Sequence, residues 1–195
     1  MKNKRTVAGV GFIGRGSYNS VSNANEYLVW RDIIYRCYKP KVMNRRTCYV
    51  NCEVDERWHD FQNFADWYVK HEFSGFGYQV DKDLLVNGNK IYSPERCCLL
   101  PKEVNGKIQT SNSRTKLVGA TFHKVSGRWQ SQIRIDGKNL FLGTFDTQME
   151  AHLAYVEAKE SHIHEIAEKW KGGIEDRAYK ALLNWKVGIE GSQPC

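Results

Sequence analysis

The sequence predicts an α+β fold, and three observations carry that expectation. Two early segments repeat apolar residues at helical spacing. Near residue 130 the pattern changes to strict polar/apolar alternation, the period of a half-buried strand. A capping-box signature, Thr147-x-x-Glu150, then opens a further helix.

Residues 1–25 are rich in Gly, Ser and Asn and read as loop. Gly9-Val10-Gly11-Phe12-Ile13-Gly14 has the spacing of a dinucleotide fingerprint. The residues after it, Arg15 to Ser20, are not helical, so no helix N-terminus would face a pyrophosphate and that reading is rejected. From Glu26 to Tyr38 the apolar positions Tyr27, Trp30, Ile33, Ile34 and Cys37 define one helix, and Pro40 stops it. A second helix is expected from Asp55 to His71, with Trp58, Phe61, Phe64, Ala65 and Tyr68 forming a core face. A hairpin turned at Asn87-Gly88-Asn89 follows, and polar Gly106 to Thr115 reads as a linker.

Beyond the linker, Arg128, Gln130, Gln132 and Arg134 alternate with Trp129, Ser131, Ile133 and Ile135, placing four long polar groups on one face of a sheet. Asp136-Gly137 signals a tight turn. The next strand is expected to place Leu140 and Leu142 on one side and Asn139 and Phe141 on the other. The helix opened by Thr147 has Ala151, Ala154, Tyr155 and Ala158 facing inward. After Ser161 a helical tail carries Ile163, Ile166, Trp170, Tyr179, Leu182, Leu183 and Trp185, broken at Gly172-Gly173.

The 195 residues carry 29 Lys+Arg against 22 Asp+Glu, a net charge of +7. Residues 114–140 hold six basic side chains and one acidic; residues 141–195 hold six basic and nine acidic. A basic block beside an acidic one points to a polyanion-binding surface. No apolar run is long enough to span a membrane, and Met1-Lys2-Asn3-Lys4-Arg5 is not followed by a signal-peptide core. The expected location is cytoplasmic, where the six cysteines (37, 48, 52, 97, 98 and 195) stay reduced. Cys37, Cys48 and Cys52 are the only ones placed to share a zinc ion. No Cys-x-x-Cys pair is present, so packed thiols are expected rather than structural zinc.

Asp81-Lys82-Asp83, Tyr92-Ser93-Pro94-Glu95-Arg96-Cys97 and Asn105 resemble the ββα-metal core of HNH endonucleases, in particular the phage-type homing enzymes. Trp30, Ile33, Arg36-Cys37-Tyr38, Pro40, Tyr49, Cys52, Glu56, Trp58, Phe61 and Phe64 extend the resemblance, so that it covers residues 27–108. It implies Asp81 and Asn105, 24 positions apart, as ligands of one Mg²⁺ or Mn²⁺, with Asp83 a further ligand or orienter and no need of more protein groups. Lys82 stands where the family most often has a His general base, and Arg96 where Asn is common. An ammonium beside two carboxylates stays charged, which suits a phosphate clamp better than a base. A base would then come from elsewhere, with His59, His71, Tyr92 and Tyr49 as the candidates.

Gly119, Arg128-Trp129, Ile133-Arg134, Leu142-Gly143-Thr144-Phe145, Thr147 and Ala151 to Tyr155 look like an AP2 DNA-binding domain over residues 116–160. That resemblance implies an exposed sheet face lying in the DNA major groove and carrying Thr121, His123, Arg128, Gln130, Gln132, Arg134, Asn139 and Phe141. The organisation expected is an HNH-like module over 1–110, an AP2-like domain over 114–161 and a helical tail over 162–195.

Two main functional readings follow. One is a metal-dependent endonuclease hydrolysing phosphodiesters in double-stranded DNA. The other is a DNA-binding or regulatory phage protein whose HNH module is inactive. In a third, the partner is a host protein.

Overall fold

The computed structural model describes residues 6–39, 49–75, 77–108 and 117–188. The chain is α+β. Helix α1 (Ala24–Tyr38) buries Trp30, Ile33, Ile34 and Cys37, the stripe its spacing predicts. Pro40 lies outside the described residues. The expected second helix is two pieces, a 3₁₀ turn (Glu56–His59) and α2 (Phe61–Lys70). Asp60 separates them in an extended conformation. Its carboxylate accepts from the backbone N–H of Gln62 at 2.9 Å and of Gly14 at 3.0 Å, so one side chain caps α2 and ties down the N-terminal loop. Gly11 and Gly14 belong to that packing: a Cβ on either would meet Trp30 or the Asp60 carboxylate.

Strand β1 (Glu53–Val54) pairs in parallel with β3 (Ile91–Tyr92). Strand β2 (Tyr78–Asp81) pairs antiparallel with β4 (Cys98–Pro101), and α3 (Lys102–Ile108) follows at once. The Asn87-Gly88-Asn89 turn closes, with the Asn89 N–H donating to the Val86 carbonyl at 3.0 Å. It does not join β2 directly to its partner. The chain visits β1 through β3 before returning as β4, because β3 finds its ladder on a strand from earlier in the sequence. Gly106 to Ile108 are helical rather than linker, and residues 109–116 lie outside the described part.

β4 is buried along its whole length, and its alternation explains why. Leu99, with neighbouring Cys97, faces one core with Val80, Tyr92, Trp30, Trp58, Phe61 and Phe64. Cys98 and Leu100 face a second core with Val104 and Ile108 of α3 and Ile163, Ile166, Ala167, Ile174, Ala178 and Leu182. A strand covered on both faces reads as an unbroken apolar run, here Cys97 to Leu100.

Strands β5 (Ala120–His123), β6 (Arg128–Ile135) and β7 (Lys138–Phe145) form an antiparallel sheet in that order. Helix α4 (Gln148–Lys169) starts at the predicted capping box: Glu150 N–H donates to Thr147 Oγ1 at 3.2 Å, and Thr147 N–H donates to Glu150 at 3.0 Å. Its first half backs the sheet. Its second half supplies Ile163, Ile166 and Ala167 to the second core, so the boundary expected at 161/162 falls inside one continuous helix. After the turn at Gly172 (φ 78°), α5 (Asp176–Leu183) completes the same core. The tail is thus part of the packing around β2 and β4, not an appendage. Among the described residues no helix is long and apolar enough to cross a membrane.

Candidate functional site

Asp81 ends β2, where the backbone leaves the ladder and turns. Its Oδ1 accepts from the N–H groups of Asp83 at 3.0 Å and Leu84 at 2.7 Å. Burial nevertheless pushes its pKa up to about 6, and the Asp83 carboxylate pushes the same way, against those bonds and Lys82. The neighbouring cation, Lys82, directs its ammonium to the Asp83 carboxylate. The fold therefore holds an ionisable carboxylate in a place that penalises its charge.

Asn105, buried on α3, donates through Nδ2 to Gln79 Oε1 at 3.0 Å. Gln79 and Asp81 lie two apart on β2 and share a face. The register pairs them with Leu100 and Cys98, which contact α3 in the second core. Asp81 and Asn105 consequently occupy the same side of the β2–β4 pair. Asn105 keeps its amide oxygen, and Asp81 one carboxylate oxygen, without a hydrogen-bond partner among the described residues. Two hard oxygen donors of this kind fit Mg²⁺ or Mn²⁺, which retain most of their waters. Among the described residues no group of three or more His, Cys, Asp or Glu side chains is placed to hold a metal. Cys37, Cys52, Cys97 and Cys98 are buried; Cys48 and Cys195 lie outside the described residues.

Lys82 is held inside the loop. Its side chain is only 2% exposed, and its ammonium donates to Asp83 Oδ1 at 2.5 Å and to the Asn89 carbonyl at 2.9 Å, above the Tyr92 ring. A cation committed in this way fastens the loop from within and is not presented to a phosphate. Asp83 is correspondingly occupied by Lys82.

Asn89 completes the fastening. Its Nδ2 donates to the carbonyls of Lys82 at 2.7 Å and Ile91 at 2.8 Å, and its Oδ1 accepts from the Ile91 N–H at 3.1 Å. The Asn-Gly-Asn pattern signals only the turn at this residue, not these bonds. Arg177 on α5 had no signal at all. Its guanidinium donates to the carbonyls of Glu95 at 2.9 Å and Cys97 at 2.6 Å, holding the turn that feeds β4.

The four candidate bases are engaged elsewhere. His59 Nε2 meets the Val54 carbonyl at 3.0 Å, and His71 Nε2 lies 3.4 Å from Glu175. Tyr92 is buried beside Arg36, and burial raises its phenol pKa well above the usual value. Tyr49 lies against the Arg36 guanidinium.

The second candidate surface is the outer face of β5–β6–β7. Cross-strand partners share a face, and the register pairs Thr121 with Gln130, His123 with Arg128, Gln132 with Phe141, and Arg134 with Asn139. All eight residues expected on the reading face thus lie on one side, joined by Thr144 opposite Gln130. The opposite side holds Ser131 and Ile133, both buried. Arg128 is partly neutralised by Asp146 at 2.9 Å. Comparison with protein-family models, curated proteins and solved structures gives no match.

Proposed function

We propose that this protein is a metal-dependent DNA endonuclease of the HNH type, directed to duplex DNA by the AP2-like face of its three-stranded sheet. The observation that carries the first part is the placement of Asp81 and Asn105 on the same side of the β2–β4–α3 unit, each with an oxygen to spare among the described residues. Its support is the unfavourable ionisation of Asp81: a carboxylate whose charge costs stability is retained where it does something other than stabilise. A bound divalent cation would neutralise the scissile phosphate and stabilise the leaving oxygen. Asp81 and Asn105 would hold it, while Lys82 and Asn89 keep the intervening loop in shape. The basic charge and the Gln and Arg side chains of the sheet support duplex binding.

Lys82 favours a second reading, a DNA-binding or regulatory protein with an inactive module. It occupies the position of the usual base, is sealed inside, and the four alternative bases are occupied. Plasmid nicking with Mg²⁺ or Mn²⁺ separates the two. The first reading expects nicked circles from the native chain and at least about a hundredfold less from Asp81→Asn and Asn105→Ala. Absence of cleavage with either metal, together with intact duplex binding, would establish the second.

A further inference from the structure

β7 contains an irregularity that decides which of its side chains face outward. Ser131 pairs with Gly143 but Gln132 pairs with Phe141, so Leu142 is an extra residue in a bulge. Gly143 sits there with φ 142°, in a region that glycine adopts without strain. With unbroken register Gln132 would lie opposite Leu142, and Arg134 opposite Leu140. The bulge shifts the pairing by one and sets Phe141 beside Gln132 and Asn139 beside Arg134, the kind of re-aiming for which bulges are retained. Leu140 turns to the side of Ile133. The result is a phenylalanine 64% exposed, directly across from an exposed glutamine, on a face otherwise made of Arg, Gln, Asn, Thr and His.

We propose that Gln132 and Phe141 together read a single A·T base pair from the major groove. Resting on the assignment of this face to duplex DNA, the inference adds which base pair the centre of the face selects. Cross-strand partners have Cβ atoms about 4.5–5.5 Å apart, a separation suited to two adjacent groups on one base-pair edge. Adenine offers N7 as acceptor and N6–H as donor, which a Gln carboxamide matches with its N–H and its oxygen. Thymine offers the C5 methyl, which needs an apolar partner. A G·C pair in either orientation has no methyl for the ring and leaves one half of the carboxamide facing a like group. Along β6 the outward residues recur about every 6.7 Å, close to two base steps, so Arg134 and Asn139 fall on a neighbouring position.

The test uses the full-length chain and duplexes selected from a randomised pool. The expected selection contains an A·T pair whose preference disappears in Gln132→Ala and weakens in Phe141→Ala. Replacing that thymine by deoxyuridine removes only the methyl. Binding by the native chain should fall about fourfold, and binding by Phe141→Ala should not change. Both side chains are exposed, so unchanged melting of the variants shows that folding is unaffected. Selective duplex binding with no uracil effect, or with A·T preference surviving Gln132→Ala, would overturn the pair alone. Failure of the native chain to bind any duplex would overturn the assignment of the face itself, and the pair with it.

Discussion

In the loop from Asp81 to Tyr92 nearly every polar side chain is spent on the protein, whereas on the outer face of β5–β6–β7 most are left to solvent. Lys82, Asp83 and Asn89 bond one another and the local backbone. On the sheet, the exposed side chains of Gln132, Arg134, Asn139 and Phe141 are placed by the strand register beneath them. The difference matches what the two regions are proposed to do. A site that places a cation against a reacting bond gains from preorganisation, and its supporting groups must be fixed before substrate arrives. A face that follows a groove gains from side chains free to find base edges. The first region should respond to substitution in stability and activity together, and the second in binding alone.

The largest effect should come from removing what holds the first region from behind. Ending the chain after Lys169 deletes Ile174, Ala178 and Leu182 from the second core, and with them Arg177. Losing two large buried aliphatic side chains and that clamp costs on the order of 5 kcal/mol, comparable to the whole stability of many domains. The truncated chain should show no cooperative melting by circular dichroism. Melting within a few degrees of the full chain would mean that α5 is dispensable.

Lys82→Ala comes next. It leaves the Asp83 carboxylate and the Asn89 carbonyl without their buried donor, a loss of about 3–5 kcal/mol, readable by urea denaturation. Lys82→Arg should recover little, since a longer, planar head does not fit a cavity shaped for an ammonium. If Lys82→Ala unfolds at the native urea midpoint but fails to cleave, Lys82 acts on the phosphate after all.

The smallest stability effect belongs to the sheet. Arg134→Ala should change stability by no more than about 0.5 kcal/mol. Should it contact a phosphate, the salt dependence of duplex binding falls by about one unit of slope; should it contact guanine, selectivity at one position falls instead. An Arg134→Ala variant that melts well below the native chain would erase the contrast between the two regions.

How much of this was legible follows from the range of the interactions. Period and capping are local, so α1, the start of α4 and the polar face of β6 are readable from the residues themselves. The break at Asp60 is not, because its partner is the N–H of Gly14, far back in the chain. Nor is the detour through β3, whose ladder is on β1. Residue 161 lies inside a helix that continues into a core shared with β4 and α3, and only packing reveals that. Gly143 within a strand was a usable sign of the bulge. At the candidate metal site, the spacing of Asp81 and Asn105 follows from resemblance, but their common side depends on the β2–β4 register. The burial of Lys82 runs against the habit of lysine to stay exposed, and composition gives no hint of it.

Asp81 is proposed as a carboxylate kept at a cost in stability for the sake of a cation. Its folded pKa of about 6 lies above the ordinary value of 3.8, so the folded state binds the proton more tightly than the unfolded one. The resulting stabilisation is fully present below about pH 4 and is lost as pH rises through about 6. Asp81→Asn retains an acceptor for the Asp83 and Leu84 N–H groups and removes the charge. The decisive measurement is thermal melting of the native chain and Asp81→Asn at pH 7.5, in EDTA and in Mn²⁺. In EDTA the variant should be more stable, on the order of 3 kcal/mol for a shift of about two pKa units, with the gap closing as pH falls toward 4. Mn²⁺ should raise the melting temperature of the native chain and leave that of the variant unchanged. A variant less stable than the native chain in EDTA, or one stabilised by Mn²⁺ as much as the native chain, would overturn this role for Asp81.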